Sequence, residues 1–243
     1  MSKSFNTGTA RFAKIRPMLQ PIDENIWHQV HAFTVNRLPV TSRMTVVRLP
    51  QQKLLIHSPI PLSDGLRREI DGLGSVAFIV APNKMHHLFL APFAAAFPDA
   101  LVYGPEGLLK KRPDLGTINK LPGGNLPEWL PDIEQFAFTG VPAVNESLWF
   151  HRPSSTLIVT DLLQWMQGEL AWSIKTYAAL TGVRRRLAVP RTVRALVRDR
   201  AAAARSAEQV LRWPFTRVVV AHNAIIDMDA HDQVAQAFSV FEK

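Results

Sequence analysis

Residues 76–80 read Val-Ala-Phe-Ile-Val, an unbroken apolar run. A run this short has the length of a strand, and with no polar residue on either alternating face it must be buried on both. A chain with such a strand needs material packed above and below its sheet, which points to a layered α/β architecture. The flanking segments agree. Residues 25–30 and 44–49 have strand character, Gln51-Gln52 supplies a short turn, and 54–56 resumes the extended pattern. This is an antiparallel start. Ser63 precedes a helix reaching about Leu73, with Leu66, Ile70 and Leu73 at helical spacing.

Further along, 86–97 predicts a helix closed by Pro98, 101–103 a short strand, and 105–111 a short helix. Residues 116–131 read as loop around Pro122-Gly123-Gly124. Strands are expected at 133–138, 147–151 and 156–160, the last two forming a hairpin turned by Pro153-Ser154-Ser155. The final third predicts a helix over 172–180 ended by Gly182, one long helix over 192–212 stopped by Pro214, a strand over 216–220 and a terminal helix over 229–241. Strands first, then alternation, then helices with an isolated strand imply mixed sheets covered by helices rather than a purely parallel doubly wound sheet.

The 243 residues suit one domain, 17–243, behind an N-terminal arm, 1–16. The chain has no cysteine, which excludes disulfides, zinc-thiolate sites, iron–sulfur clusters and thiol nucleophiles. Any metal must then be held by His, Asp or Glu. No secretory leader is apparent and no run approaches the roughly 20 apolar residues of a transmembrane helix, so a soluble cytoplasmic protein is expected. The net charge is +8, with much of the excess in Arg184-Arg185-Arg186 and in 191–205. Asp199 and Glu208 interrupt the second stretch and no aromatic residue interleaves with its arginines, so a solvated helix face is expected and a nucleic-acid partner is not.

Several expected strands end in polar residues that do not belong in a core. The strand at 54–56 runs into His57-Ser58, that at 76–80 into Asn83, Lys84 and His86-His87, that at 156–160 into Asp161, and that at 216–220 into His222-Asn223. Ligands of α/β proteins bind in the crevice beyond strand ends. His86, His87, Asp161 and His222 would match the ligand set of zinc, iron or manganese. Each residue also has a plain structural role open to it. His57 can hydrogen-bond a loop, His86 and His87 can cap a helix, Asp161 can serve as an N-cap, and His222 can pack under the last helix. Adjacent histidines lie about 100° apart on a helix, so both reach one ion only near a terminus.

These stretches, in this order, resemble the metallo-β-lactamase superfamily. Its motif Thr-His-x-His-x-Asp-His is similar to residues 81–87, Ala-Pro-Asn-Lys-Met-His-His. His87 matches the last histidine, His86 stands in place of the aspartate, and Pro82 and Lys84 stand in place of the first two histidines. The superfamily's bridging aspartate resembles Asp161 in Val159-Thr160-Asp161, and its final histidine resembles His222 in Val220-Ala221-His222-Asn223. Its early aspartate is replaced by His57. Leu55-Ile56-His57-Ser58-Pro59, residues 81–87 and Phe150-His151-Arg152-Pro153-Ser154 resemble one uncharacterised branch, a domain-of-unknown-function family, over about residues 17–240.

The resemblance implies an αββα sandwich of two mixed sheets flanked by helices. It also implies that the first metal site is lost at Pro82 and Lys84, because no histidine lies in 140–146 to complete it. What remains is a one-metal set, His86, His87, Asp161 and His222, for one zinc, iron or manganese ion. Glu146, His57 and His151 are supporting candidates. Lys84 and Asp161 are the candidate catalytic residues, Lys84 to bind an anionic substrate group or stabilise an oxyanion. Trp165, Met166 and Trp172 are candidate pocket walls. Two functions fit: a mononuclear metal-dependent hydrolase of a small-molecule substrate that the sequence does not identify, or a degenerate member of the fold, without metal, acting as a binding or scaffold protein. Oligomeric state is open.

Overall fold

The computed structural model describes residues 18–35 and 38–242, so the expected arm at 1–16 lies outside the described residues. Two mixed sheets face each other. The larger is built from β1 (Gln20–Asp23), β2 (Ile26–Val35), β3 (Leu38–Arg48), β4 (Lys53–His57), β5 (Ser75–Val80), β6 (Leu101–Gly104) and β7 (Asn119–Lys120), in that spatial order. Pairing is antiparallel from β1 to β4 and parallel from β4 to β7. The smaller sheet takes β8 (Ile133–Ala137), β9 (Ser147–His151), β10 (Thr156–Val159), β11 (Arg217–Val220) and β12 (Ile225–Ile226), in the order β12-β11-β10-β9-β8. Only β10 and β11 run parallel there. The helices are α1 (Asp64–Leu73), α2 (Leu90–Ala96), α3 (Leu108–Lys111), α4 (Trp172–Thr181), α5 (Arg191–Arg194), α6 (Arg200–Leu211) and α7 (Ala230–Phe238).

Three buried layers follow from the period of two along each strand. Leu55, Phe78, Val80, Trp149 and Ile158 point into the space between the sheets, with Trp129. Leu54, Ile56 and Ile79 point out beneath α1 and α2, against Leu66, Ile70 and Phe93. Phe150, Leu157 and Val218 point out beneath α6 and α7, against Val210, Val234 and Phe238. The arrangement is the expected αββα sandwich, and it explains why 76–80 carries no polar residue: both faces are covered. In the middle layer Trp129 meets Trp149 at 5.2 Å and Phe78 at 5.7 Å, both nearly edge to face. Pairs of this geometry contribute about 0.5–1.5 kcal/mol beyond their buried area.

Three expectations are corrected. The first hairpin is longer than 25–30 and 44–49 suggest. β2 and β3 pair from Ile26↔Val47 out to Val35↔Leu38, while β4 joins β3 only over residues 45–48. The outer half therefore projects beyond the sheet, and its residues lack the alternation of a half-buried strand. Second, the helix expected from residue 86 begins at Leu90. Pro92 has no N–H and its ring would strike the carbonyl of Leu88 in a longer helix, so it is tolerated only in the first turn. His86 and His87 consequently sit in the preceding turn. Third, the long helix over 192–212 is two helices, α5 and α6. Asp199 caps the second, its side chain accepting from the Ala202 N–H at 2.8 Å, while the N–H groups of Arg198 and Asp199 turn to the Gly140 carbonyl.

The basic segment is partly structural. Arg184 donates to the carbonyls of Met166 and Gly168, and Arg191 to that of Leu180. Among the described residues no helix is long and apolar enough to cross a membrane.

Candidate metal centre

The parallel pair β10/β11 places two of the expected residues side by side. Val159 lies opposite Val220. Asp161 and His222 each follow by two residues, so both leave the sheet at the same level, one strand spacing of about 4.8 Å apart. Their side chains meet, His222 Nε2 to Asp161 Oδ1 at 3.1 Å. The third residue comes from the other sheet. His86, in the turn after β5, brings Nε2 to 3.5 Å from Asp161 Oδ2. One ligand atom from each of His86, Asp161 and His222 lies within 4.8 Å of the others.

Asn83 joins the two sheets at this point. Its carbonyl oxygen accepts from the N–H groups of Met85 and His86 at 2.8 and 2.9 Å, shaping the turn. Its amide donates to Thr160 Oγ1 at 2.8 Å and to Asp161 Oδ2 at 2.7 Å. Glu146, just before β9, is buried and accepts from the backbone N–H groups of Thr160, Asp161 and Leu162 at 2.7–2.9 Å. Burial, then the charge of Asp161, raises its pKa despite these bonds. Glu146 thus anchors the Asp161 loop by its backbone.

Both histidine rings are fixed by their far nitrogens. His86 Nδ1 shares a hydrogen bond with Ser58 Oγ at 2.7 Å, and His222 Nδ1 donates to the Thr41 carbonyl at 2.5 Å. A carbonyl only accepts, so Nδ1 of His222 carries the proton and Nε2 is left for Asp161 or for an ion. Burial alone would lower the His222 pKa, but the hydrogen bond and charge of Asp161 outweigh it and raise it. In the same way burial would raise Asp161, but the His86 and His222 rings hold it well below the usual carboxylate range.

The donor set fits one ion. A tetrahedral zinc with bonds of about 2.0–2.1 Å has ligand atoms about 3.3 Å apart; here His222 Nε2 is 3.1 Å from Asp161 Oδ1 and His86 Nε2 3.5 Å from Asp161 Oδ2, and one atom from each residue lies within 4.8 Å of the others. Two imidazoles and a carboxylate are also the nitrogen and oxygen chemistry that zinc, iron and manganese accept.

The remaining expected residues stand elsewhere. His87 is buried, and its Nδ1 accepts from Arg112 Nη1 at 2.9 Å. Burial, then Lys111 and Arg112, lowers its pKa to about 4. The Lys84 ammonium lies against Gly107, and its backbone carbonyl accepts from Lys111. His57 is buried beside Trp149, its Nε2 without a hydrogen-bond partner. His151 is at the opposite end of β9 from Glu146, roughly 16 Å away along the strand. Sequence reasoning missed Thr41 and Ser42 and noted Ser58 only as a polar residue at a strand end; the three hold the rings, and Ser58 at φ 55° and Asn223 at φ 77° mark the backbone around the site.

Above the three residues opens a cavity of about 960 Å³. Val30, Phe33 and Val40 of the projecting hairpin form one wall, Leu88 and Phe89 a second, and Ile174 of α4 a third. Phe33 packs edge-on against Phe89 at 5.6 Å, so hairpin and turn support each other. Met166 also lines the cavity, whereas Trp165 packs into the core under the small sheet and Trp172 is largely exposed.

A family model described as a domain of unknown function, DUF4336, matches residues 23–108. No curated protein sequence matches the chain. Solved structures do. The DIM-1 metallo-β-lactamase exposed to ceftazidime superposes with a TM-score of 0.63 at 16% identity, over 95% of this chain and 99% of that one. A metallo-β-lactamase from Pontibacter korlensis gives 0.61 at 12% identity, over 93% and 98%. One from Erythrobacter litoralis gives 0.62 at 11%, over 95% and 98%. With two mixed sheets, helices outside both and the His/Asp/His cluster at their shared edge, the chain has the metallo-β-lactamase fold.

Proposed function

We propose that the protein is a hydrolase working with one divalent metal ion, zinc by preference, held by His86, Asp161 and His222. The observation that carries this reading is the fixing of both rings from behind. Ser58 and Thr41 occupy the Nδ1 atoms, so the two Nε2 atoms converge on one carboxylate. Held ligands of this kind lose little freedom when an ion arrives. When bound, the ion supplies Lewis acidity and lowers the pKa of a water toward neutrality. Asn83 keeps the Asp161 carboxylate aimed at the rings, and Glu146 keeps its loop in place. The apolar walls exclude bulk water and receive the substrate, an ester or amide.

The test is elemental analysis of protein purified from zinc-supplemented medium, with p-nitrophenyl ester turnover read in parallel. One equivalent of metal per chain is expected. It should be lost in His222→Ala and His86→Ala variants, with turnover lost on chelation. Wild-type protein that keeps no metal, or variants that keep it, would overturn the reading.

One observation favours the non-catalytic alternative. The three groups also satisfy each other, since Asp161 accepts a bond from His222 and attracts His86 without any ion. In that case zinc leaves the melting temperature unchanged.

A further inference from the structure

Arg43 is the unusual charge near this site. It lies in the middle of β3 with only 4% of its surface exposed, yet it lines the cavity. Its Nε donates to the Val220 carbonyl at 3.0 Å, Nη2 to the Asn223 carbonyl at 2.9 Å, and Nη1 to His28 Nδ1 at 2.6 Å. All three acceptors are neutral, and His28 is kept neutral because burial, then the charge of Arg43, lowers its pKa to about 3. Among the described residues no carboxylate forms an ion pair with Arg43. A guanidinium has five N–H groups, so one on each terminal nitrogen remains unspent. Burying a cation among neutral partners is costly, and burial draws even this guanidinium down to about 10. An anion seated on the two free N–H groups would offset that cost with a forked, charge-assisted pair. Val30, Phe33, Val40, Phe89 and Ile174 give the cavity an apolar stretch, while Lys111, Asp161 and Glu169 are the other charged residues that line it.

We infer that the cavity binds an amphipathic monocarboxylate, its carboxylate on Arg43 and its hydrocarbon body along the hairpin and α4. The inference concerns what the cavity binds and stands without the proposed hydrolase; it rests on that reading only for turnover, which needs a ligand carrying an ester or amide besides the carboxylate. Arg43 holds the carbonyls on either side of His222, at 220 and 223, so the carboxylate sits within one loop of the candidate metal ligands.

Calorimetric titration of the full chain with decanoate, decanol and decyltrimethylammonium, below their micellar concentrations, tests this. The titrations are run on chelator-treated and on zinc-loaded protein. Decanoate is expected to bind at least tenfold more tightly than decanol in both, and the ammonium to bind more weakly than either. Arg43→Gln should reduce decanoate to the level of decanol, with decanol binding retained as proof that the cavity is intact. If Arg43→Gln does not fold, Lys111→Gln with the same three ligands decides: a decanoate preference that survives it supports the seat on Arg43, and a preference lost with it overturns the inference. Equal binding of decanoate and decanol overturns the inference, as does a preference that survives in Arg43→Gln. A preference present only with zinc would put the carboxylate on the ion, overturning this inference while supporting the metal. A preference in protein that never holds zinc would support the inference while the hydrolase reading fails.

Discussion

His151 is enclosed at the far end of β9, where Nδ1 shares a hydrogen bond with Ser154 Oγ at 2.7 Å and Nε2 meets no partner. Burial lowers its pKa to about 4, against a small opposing pull from Asp23. Above pH 6.5 the ring is neutral in folded and unfolded chains alike, and nothing is lost. Below that, the unfolded chain takes up a proton that the folded chain refuses until about pH 4, so stability falls with pH across this window. At pH 5 the single group costs about 2 kcal/mol, from roughly 1.5 units at about 1.4 kcal/mol each. His151→Gln keeps a partner for Ser154 but cannot titrate. Urea unfolding between pH 6.5 and 4 should show a stability slope lower by up to about 1.4 kcal/mol per pH unit; an unchanged slope would remove His151 as the cause. His222 has the opposite sign: its raised pKa gives stability that is complete below pH 6.5 and lost as pH rises through the folded value. The same residue type thus opposes itself at the two ends of one sheet, according to whether a carboxylate stands beside it.

At the scale of elements, the break between α5 and α6 depends on Gly140. Its φ is +85°, and a Cβ there would lie 2.3 Å from the Asp199 carbonyl and 2.6 Å from the Ala203 nitrogen. Gly140→Ala must therefore both strain the backbone and push the start of α6 away. A loss of about 3 kcal/mol or more is expected, against about 1 kcal/mol for removing the cap with Asp199→Ala. Chemical denaturation distinguishes them, and a Gly140→Ala variant as stable as Asp199→Ala would contradict the close approach. The break also marks what sequence pattern can and cannot reveal. The apolar runs at 76–80, 147–151 and 156–160 announce their strands because two covered faces leave no room for polar residues. Asp161 and His222 stood out as polar residues after apolar strands and through the family resemblance, but that they stand side by side follows from the Val159↔Val220 register, which no local pattern reveals. The helix start at 90 was legible in Pro92 but was outweighed by the apolar spacing of Leu88, Phe89 and Phe93. The outer hairpin was illegible because its partner is a cavity rather than a core. His87 points to Arg112 for a reason that lies in a different segment of the chain, beyond any local pattern.

For the molecule as a whole, the candidate site is a seam. His86 belongs to the large sheet and Asp161 and His222 to the small one, while Asn83 to Asp161, Thr41 to His222 and Arg43 to Val220 all cross between them. The backbone adds a crossing bond, Ser147 N–H to the Pro82 carbonyl at 2.9 Å. An ion bridging the seam would bind only when both sheets are folded and docked, so its binding energy is added to global stability rather than to one loop. With free zinc at a hundred times its dissociation constant, the gain is about 2.7 kcal/mol, and a chain of this size should melt roughly 5–10 °C higher. The shift should appear as one cooperative transition. It should vanish in His222→Ala, which removes a ligand contributed by the small sheet, and in His86→Ala, which removes the one contributed by the large sheet. Because the ion displaces the proton shared by His222 and Asp161, the shift should also shrink as pH falls below the raised pKa of His222. Differential scanning calorimetry at two pH values measures both effects. A zinc-induced shift that persists in either variant would mean that the metal binds away from the seam, and no shift in wild type would mean that the three residues serve only to hold the two sheets together.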